Sequence, residues 1–459
     1  MIELTSDALS YAQEHGAEYV EVRGETTEFL DVVVEDRGVV SSIGGLYNGI
    51  GIRAFYGSGR GYSATSFITK TSIERAVEEA VRMAKASNFG PKRAKPVEGR
   101  VENIKAPMKQ DARELETDEK IKEVLALARS ASKALGADYV KVHYLERFED
   151  RTVATNYGLR LREIRPSIWI GLKAHGSAGW ELDYEDGLVG GWETMKTIKK
   201  NFEEFSAELN FQKTDQEADE LVLSPRASAQ LFMDLILPPF LFPSEVIPET
   251  PPSGIRVEDD PGDTASYGFM PFDDEGVKGV QKPLIQSGKV ISQLSTRSTD
   301  EEGGRARAED FVHEPGPANT FTKLTADQKT TLPKDYYYVP YLEFLGKREP
   351  SDLIVAFSPL TVVYKGGTPI GFKKLVFKLY LKDLEVAGVE GSFASFGCLR
   401  ELGGGRIPVA YGSETLLLRG ASLDRRSAGI SRRNGRIRCR EAGSAGGRGL
   451  CLIHQEPQG

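Results

Sequence analysis

Cysteine is scarce in this chain, and its placement is narrower still: the three residues, Cys398, Cys439 and Cys451, all fall late. That excludes a disulfide framework and fits a reducing compartment. Long apolar runs are also absent. None approaches the roughly 20 residues needed to span a bilayer, and Met1 to Ala17 is too polar for a signal peptide, so the expected location is the cytoplasm, with no membrane partner. Positive charge is not in excess: 59 Lys and Arg stand against 67 Asp and Glu, a net charge of −8, which argues against nucleic acid as the main partner. What is present is an ordinary globular composition, 40% hydrophobic and 27% charged, in a chain of 459 residues. That length accommodates two or three domains with substantial cores.

The first 210 or so residues contain a duplication. Gly16-Ala17-Glu18-Tyr19-Val20-Glu21-Val22 matches Gly136-Ala137-Asp138-Tyr139-Val140-Lys141-Val142. The same offset pairs Gly38 with Gly158, and Ile50-Gly51-Ile52-Arg53-Ala54 with Ile170-Gly171-Leu172-Lys173-Ala174. Three anchors in one register predict two similar units, each a helix followed by strands joined at glycine turns, because Val20/Val22 and Val140/Val142 alternate with strand period. A helix follows the first copy, with Thr71 and Glu74 as its capping box and Ile73, Ala76, Val77, Ala80, Val81 and Ala84 as its buried stripe. The glycine-rich stretch Gly44 to Gly61 lacks the spacing of a phosphate loop. Asn48-Gly49 and Gly57 to Gly61 predict instead the turns of a hairpin around Ile50 to Phe55. Asn88 to Lys109, rich in Lys, Pro and Gly, reads as an exposed connection.

The stretch Leu221 to Pro239 predicts a short strand and then a buried helix. Ser224 is its N-cap, Pro225 occupies the first helical position, and Pro238 and Pro239 end it. Further on, Pro238 to Pro261 reads as irregular, and Pro283 to Val290 as a hairpin turning at Ser287-Gly288. The adjacent carboxylates Asp273, Asp274 and Glu275 read as a solvated turn rather than a cation site, since consecutive side chains point different ways.

Three stretches, YGFMPFDDEGVKGVQKPLIQSGKVISQL, RAEDFVHEPGPANTFTKL and IPVAYGSETLLLRGASL, resemble the TldD/PmbA family, also called modulators of DNA gyrase. LVLSPRASAQLF and GIGIRAFYGSGRGYSATS are similar to that family's core helix and N-terminal hairpin. The resemblance covers most of residues 1 to 421, with Thr322 to Val389 fitting poorly. It implies a zinc metallopeptidase system that trims unstructured peptides, working as a dimer of an active and a zinc-less subunit. The active subunit carries HExxxH on the core helix, two imidazoles for zinc and a Glu to take a proton from metal-bound water, with a late Cys as third ligand.

This chain departs from that pattern. Met233 and Pro238 stand near the places of the two His, Asp234 near that of the Glu, and Cys398 is the candidate for the late ligand, although a lone Cys before a strand also reads as a small buried hydrophobe. The other histidines do not restore the motif: His313-Glu314 is followed by Pro315 and Pro317, which forbid a helix, and His15, His143 and His175 read as structural or exposed. Beyond Leu423 the chain is dense in Arg, Gly and Ser, with no helix or strand period, and reads as a disordered or frame-shifted extension.

The sequence therefore predicts an α+β fold: an N-terminal domain over residues 1–212 with a duplicated helix-plus-strands unit, a β-rich C-terminal metallopeptidase-like domain over 213–421, and a basic tail over 422–459. The expected function is that of a TldD/PmbA-type protein acting on unfolded peptides, with zinc as the family's cofactor and a chain without zinc as the other reading. The alternative is a non-catalytic PmbA-like partner subunit. A homodimer, or a heterodimer with a family paralogue, is expected through the C-terminal domain, because the apolar strands Leu284 to Leu294 and Val409 to Leu418 would otherwise be exposed edges.

Overall fold

A computed structural model describes residues 2–36, 38–87, 95–243, 250–300, 303–348, 353–424, 431–433 and 436–438. The duplication is visible as two units of one plan. The first runs α1 (Ile2–Glu14), β1 (Tyr19–Glu35), β2 (Gly38–Tyr56), β3 (Gly59–Thr65) and α2 (Lys70–Ala86). The second, after β4 (Val101–Lys105), runs α3 (Thr117–Leu135), β5 (Tyr139–Thr155), β6 (Arg160–His175), β7 (Glu181–Val189) and α4 (Thr194–Ala207). The units join into one seven-stranded sheet through antiparallel pairing of β1 with β5, in the order β3-β2-β1-β5-β6-β4 with β7 also on β6. Apolar residues of alternate positions, such as Val20, Val22, Val140 and Val142, face the helices and form two cores, as strand period requires.

Local expectations in this half are met in part. The α2 stripe is buried as read, from Ile73 to Ala84. Its cap is Thr69 rather than Thr71: Thr69 is extended, and its Oγ1 accepts from the Ser72 N–H at 3.3 Å, so Thr71 is already helical. Asn48-Gly49 is not a turn but lies within β2, opposite Thr26 and Glu25. A Cβ at Gly49 would fall 2.1 Å from the Phe311 ring, so this glycine permits a close approach of two chain segments. The Asn88 to Lys109 connection contains β4, which pairs in parallel with β6 and tucks Ile104 partly inward; residues 88–94 lie outside the described residues.

The second half is strand-rich. In chain order it contains β8 (Glu220–Leu223), α5 (Pro225–Ala229), a wide turn of helix over Gln230–Ile236, α6 (Pro238–Leu241), β9 (Ile255–Asp259), β10 (Lys282–Gln286), β11 (Lys289–Val290), β12 (Ala306–Arg307), β13 (Gly316–Pro317), β14 (Phe321–Ala326), β15 (Lys329–Thr330) and β16 (Tyr336–Val339). It continues with β17 (Phe344–Arg348), β18 (Leu353–Lys365), β19 (Thr368–Tyr380), β20 (Glu385–Val389), β21 (Ala394–Leu402), β22 (Gly405–Ser413), β23 (Leu416–Arg419) and β24 (Ser422–Asp424). One sheet has the order β11-β10-β9-β14-β22-β21, another β15-β20-β23-β8-β16-β18-β19-β24 with β17 on β18. Their apolar faces enclose one large core with the α5 segment inside it. The stretch that fits the family poorly, Thr322 to Val389, supplies β14 to β20.

Several expectations change here. The Ser287-Gly288 hairpin is present, with both residues at positive φ (51° and 69°). The segment read as irregular ends in β9, which pairs on both sides; residues 244–249 lie outside the described residues. Strands β22 and β23 are also flanked on both sides, by β14 and β21 and by β20 and β8. Their apolar content is thus met inside the chain and does not itself call for a second subunit. In the basic tail, β24 extends the sheet beside β19, and Leu423 packs against the core. Ser431–Arg433 pairs with Arg436–Arg438. The rest of the tail lies outside the described residues.

The largest departure concerns Asp273, Asp274 and Glu275. They are buried, at 0%, 6% and 0% exposure, not a solvated turn. The face of the N-terminal sheet turned away from its helices carries charged residues on β1, β2, β5 and β6, and the loop inserts its carboxylates among them. Asp274 meets Arg151 at 2.5 Å and Arg23 at 3.7 Å, and Glu275 meets Arg53 at 2.6 Å. Asp273 turns back on its own loop, accepting the N–H groups of Glu275, Val277 and Ala306. Buried charges require partners of opposite sign, and the two halves of the chain supply them to each other.

Candidate functional site

The core helix begins as read, with the Ser224 hydroxyl accepting the Ala227 N–H at 3.1 Å. From Gln230 it widens to π geometry: the Leu237 N–H reaches back five residues to the Phe232 carbonyl at 2.8 Å. The prolines therefore do not end the segment abruptly; Pro238 opens a further short turn. A π turn brings residues five apart to the same side, and such turns recur at functional sites. Here it sets Met233, Asp234 and Pro238 on one wall of a cavity of about 410 Å³. Leu241, Phe242, Asn319, Thr322, Arg400, Glu401, Leu402 and Tyr411 complete the lining. The size is that of a small-ligand or side-chain pocket, apolar with a few polar groups.

Asp234 does not stand free in this cavity. Arg400, on β21, donates from Nε to Asp234 Oδ1 at 3.1 Å and from Nη1 to Glu185 Oε1, on β7, at 2.6 Å. Tyr411, on β22, donates its hydroxyl to Asp234 Oδ1 at 3.1 Å. Three distant parts of the chain are thus tied by one guanidinium. Burial opposes the Arg400 charge, but the Asp234 carboxylate first and Glu185 after it outweigh it and hold the guanidinium firmly protonated. Burial and then the Asp234 charge push the Tyr411 phenol well up, so it remains a donor.

Cys398 lies on the same face of β21 as Arg400, two residues before it and opposite Val409. It is fully buried. Burial first, with Glu185 and Asp234 adding, pushes its thiol well above the ordinary value despite Arg400. The structure therefore brings Met233, Asp234 and Pro238 to one cavity wall, with Cys398 within electrostatic reach of Asp234 and Arg400 but not among the lining residues. It does not give them the donors of a zinc site. Met233 offers a weak thioether, Pro238 offers nothing, and the Asp234 carboxylate is engaged by the Arg400 guanidinium, so of the four only Cys398 is a ligand of the kind zinc prefers. Among the described residues no group of three His, Cys, Asp or Glu could hold a metal ion. Zinc does not fit this arrangement.

The other histidines among the described residues lie elsewhere. His313 is exposed and paired with Asp310 at 2.8 Å, His143 with Asp31 at 3.0 Å, His15 rests on Tyr11 and His175 stacks on Tyr139. Sequence reasoning missed Arg400, Glu185 and Tyr411. Arg400 had one signal: at strand period it shares a face with Cys398. Glu185 had none, being 215 residues away in the chain. No helix among the described residues is long and apolar enough to cross a membrane.

Comparison with known proteins agrees with this architecture. Residues 20–84, 110–224 and 249–340 match, in order, the family descriptions PmbA/TldA metallopeptidase domain 1, central domain and C-terminal domain. A metalloprotease from Methanocaldococcus jannaschii is 23% identical over 314 residues, covering 64% of this chain and 68% of that protein. TldE from Thermococcus kodakarensis has a similar structure, with a TM-score of 0.64 at 14% identity over 91% of this chain and 100% of that one. A proposed modulator of a DNA gyrase from Thermotoga maritima gives 0.63 at 15% identity, over 92% and 99%. At such identities the structural likeness speaks for the fold.

Proposed function

Because this chain belongs to the PmbA/TldD metallopeptidase family, we propose that it is a zinc-less member, one that helps to hold unfolded peptide for a catalytic paralogue rather than cutting it. The observation that carries this reading is the guanidinium of Arg400 on Asp234, with Met233 and Pro238 on the same wall. In an active relative, the residue at the position of Asp234 would have to take a proton from metal-bound water. Here Asp234 is held by a permanent cation and by the Tyr411 hydroxyl, which occupy the carboxylate that such a role needs free.

What the chain's own residues can do is bind. Met233, Leu241, Phe242 and Leu402 give the cavity an apolar lining for a side chain, and Asn319 and Thr322 place polar groups at its wall. The Arg400 network fixes the wall's shape by linking β7, β21 and the π turn. The partner is a second subunit, either a copy or a family paralogue. The purified chain should hold no stoichiometric zinc and should cleave no unfolded peptide alone. One tightly held zinc per chain by elemental analysis would sink this reading in favour of an active peptidase, for which the placement of Cys398 beside Asp234 is the supporting observation. Light scattering over a dilution series tests the assembly: a monomer mass at micromolar concentration, with and without an active-type paralogue, would refute it.

A further inference from the structure

The outer side of β2 is covered for only part of its length. β3 pairs with β2 from Ile50 to Tyr56, while Gly38 to Gly49 pairs with β1 alone. The outward backbone groups of that stretch therefore face no strand among the described residues. A free edge is a template for another chain unless charge, proline or a bend blunts it. Gly38 to Gly49 holds no Lys, Arg, Asp, Glu or Pro, and its irregularity, a register shift opposite Val33 and Val34, lies close to the hairpin tip. It carries instead Val39, Val40, Ile43 and Leu46, which are 47% to 59% exposed.

The kinds of side chain along this stretch read the same in both directions. On either side of Ile43 stand Ser42 and Gly44, then Ser41 and Gly45, then Val40 and Leu46, then Val39 and Tyr47. Small matches small and apolar matches apolar at every step. An antiparallel pairing of the strand with its own copy about a two-fold axis requires that symmetry, because each residue then faces its mirror position. The length agrees independently. With Ile43 on the axis, Gly38 falls opposite Asn48, so the pairing fills the free stretch and stops where β3 takes up the edge. The absence of charge leaves no like-charged pair across the axis. An arbitrary peptide strand would account for neither the symmetry nor its centring on the free stretch.

We propose that two copies of this chain join along the free edge of β2, strand against strand, with Ile43 facing Ile43 of the partner subunit. The two seven-stranded sheets then run on as one. Val40 packs beside Leu46 of the partner subunit on each side of the axis, and the exposed apolar side chains leave water. This rests on the reading that the chain assembles with a second subunit, and it names the surface and the partner. The surface lies in the N-terminal domain, whereas the apolar C-terminal strands are already flanked within the chain.

Charge reversal across the axis tests this in the full chain. At micromolar concentration the wild type should scatter light as twice the chain mass. Ile43→Lys and Ile43→Glu should each give the single mass, because like charges then face each other, and an equimolar mixture of the two should restore the doubled mass. A doubled mass for Ile43→Lys alone, or a mixture that stays monomeric, would overturn the proposal and leave the assembly reading standing. A wild-type chain that is monomeric alone would overturn it as well. In that case a complex with an active-type paralogue would preserve the assembly reading, and its absence would end both. Should the charged variants not fold, Ile43→Cys in a C439S/C451S chain decides: a disulfide-linked dimer on oxidation supports the pairing, and its absence overturns it.

Discussion

Removing the Asp274 carboxylate tests whether the two halves are held together by a dry ionic layer. The side chain of Asp274 is 7% exposed, as is that of Arg23, and that of Arg151 is 8% exposed. Asp274 also accepts the Ala308 N–H at 2.7 Å. Asp274→Ala therefore strands the Arg151 guanidinium and one N–H inside the protein and removes the counter-charge of Arg23, which keeps its bonds to the Tyr62 hydroxyl and to the Asp310 and His313 carbonyls. Removing one partner of a buried ion pair costs about 3–5 kcal/mol, with the freed N–H included in that range because such terms are not additive. With an unfolding entropy of about 2.1 cal/mol/K per residue, the 459-residue chain gives about 1 kcal/mol/K if it melts as one unit. The expected fall in Tm is ~3–5 °C by calorimetry, and about twice that if the halves melt separately. Lys289→Ala, on an exposed strand, serves as the control and should lie within ~0.5 kcal/mol of wild type. The deficit should persist in high salt, which screens exposed pairs but not buried ones. Burial opposes ionisation of Asp274, yet Arg151, Arg23 and Arg307 outweigh it and hold the carboxyl below its ordinary value. Its contribution is therefore present above about pH 4 and lost as the pH falls through the lower folded value. A Tm for Asp274→Ala within about 1 °C of wild type would mean that water already reaches the guanidiniums, and the picture of a dry layer would fail.

Three other outcomes are expected. Burial first, then Glu275 and Asp274, raise the Asp273 carboxyl to about 7, so its contribution to stability is full below about pH 4 and lost as the pH rises through 7; Asp273→Asn should flatten the dependence of Tm on pH in that window, and an unchanged slope would refute the assignment. Because its thiol is buried and pushed well up, Cys398 in a C439S/C451S chain should react with a thiol reagent only on unfolding, and labelling of the native chain at the rate of a free thiol would show the site to be open. Truncation after Asp424, which retains the core contact of Leu423, should leave Tm within ~2 °C, whereas a larger drop would show that the basic tail packs on the core.

The sequence by itself determined what depends on neighbours in the chain. Period and repetition revealed the duplicated units, the stripe from Ile73 to Ala84, the Ser224 cap and the Ser287-Gly288 hairpin, because each is stabilised by contacts within a few residues or by one apolar face. The absence of imidazoles at Met233 and Pro238 was equally plain. Tertiary structure alone decided the rest. Asp273 to Glu275 carry the local signature of a solvated turn, and only guanidiniums more than 120 residues away turn them into an interior layer. Asn48-Gly49 has a turn's composition, yet Phe311 crosses it and keeps the strand running. The strands Val409 to Leu418 look like exposed apolar edges until their neighbours on both sides are in place. Arg400 meets Asp234 across 166 residues because strand period and the π turn converge on one cavity. Charge pairing acts through space at a few ångströms, and no pattern local to the chain encodes which distant partner the fold will bring within reach.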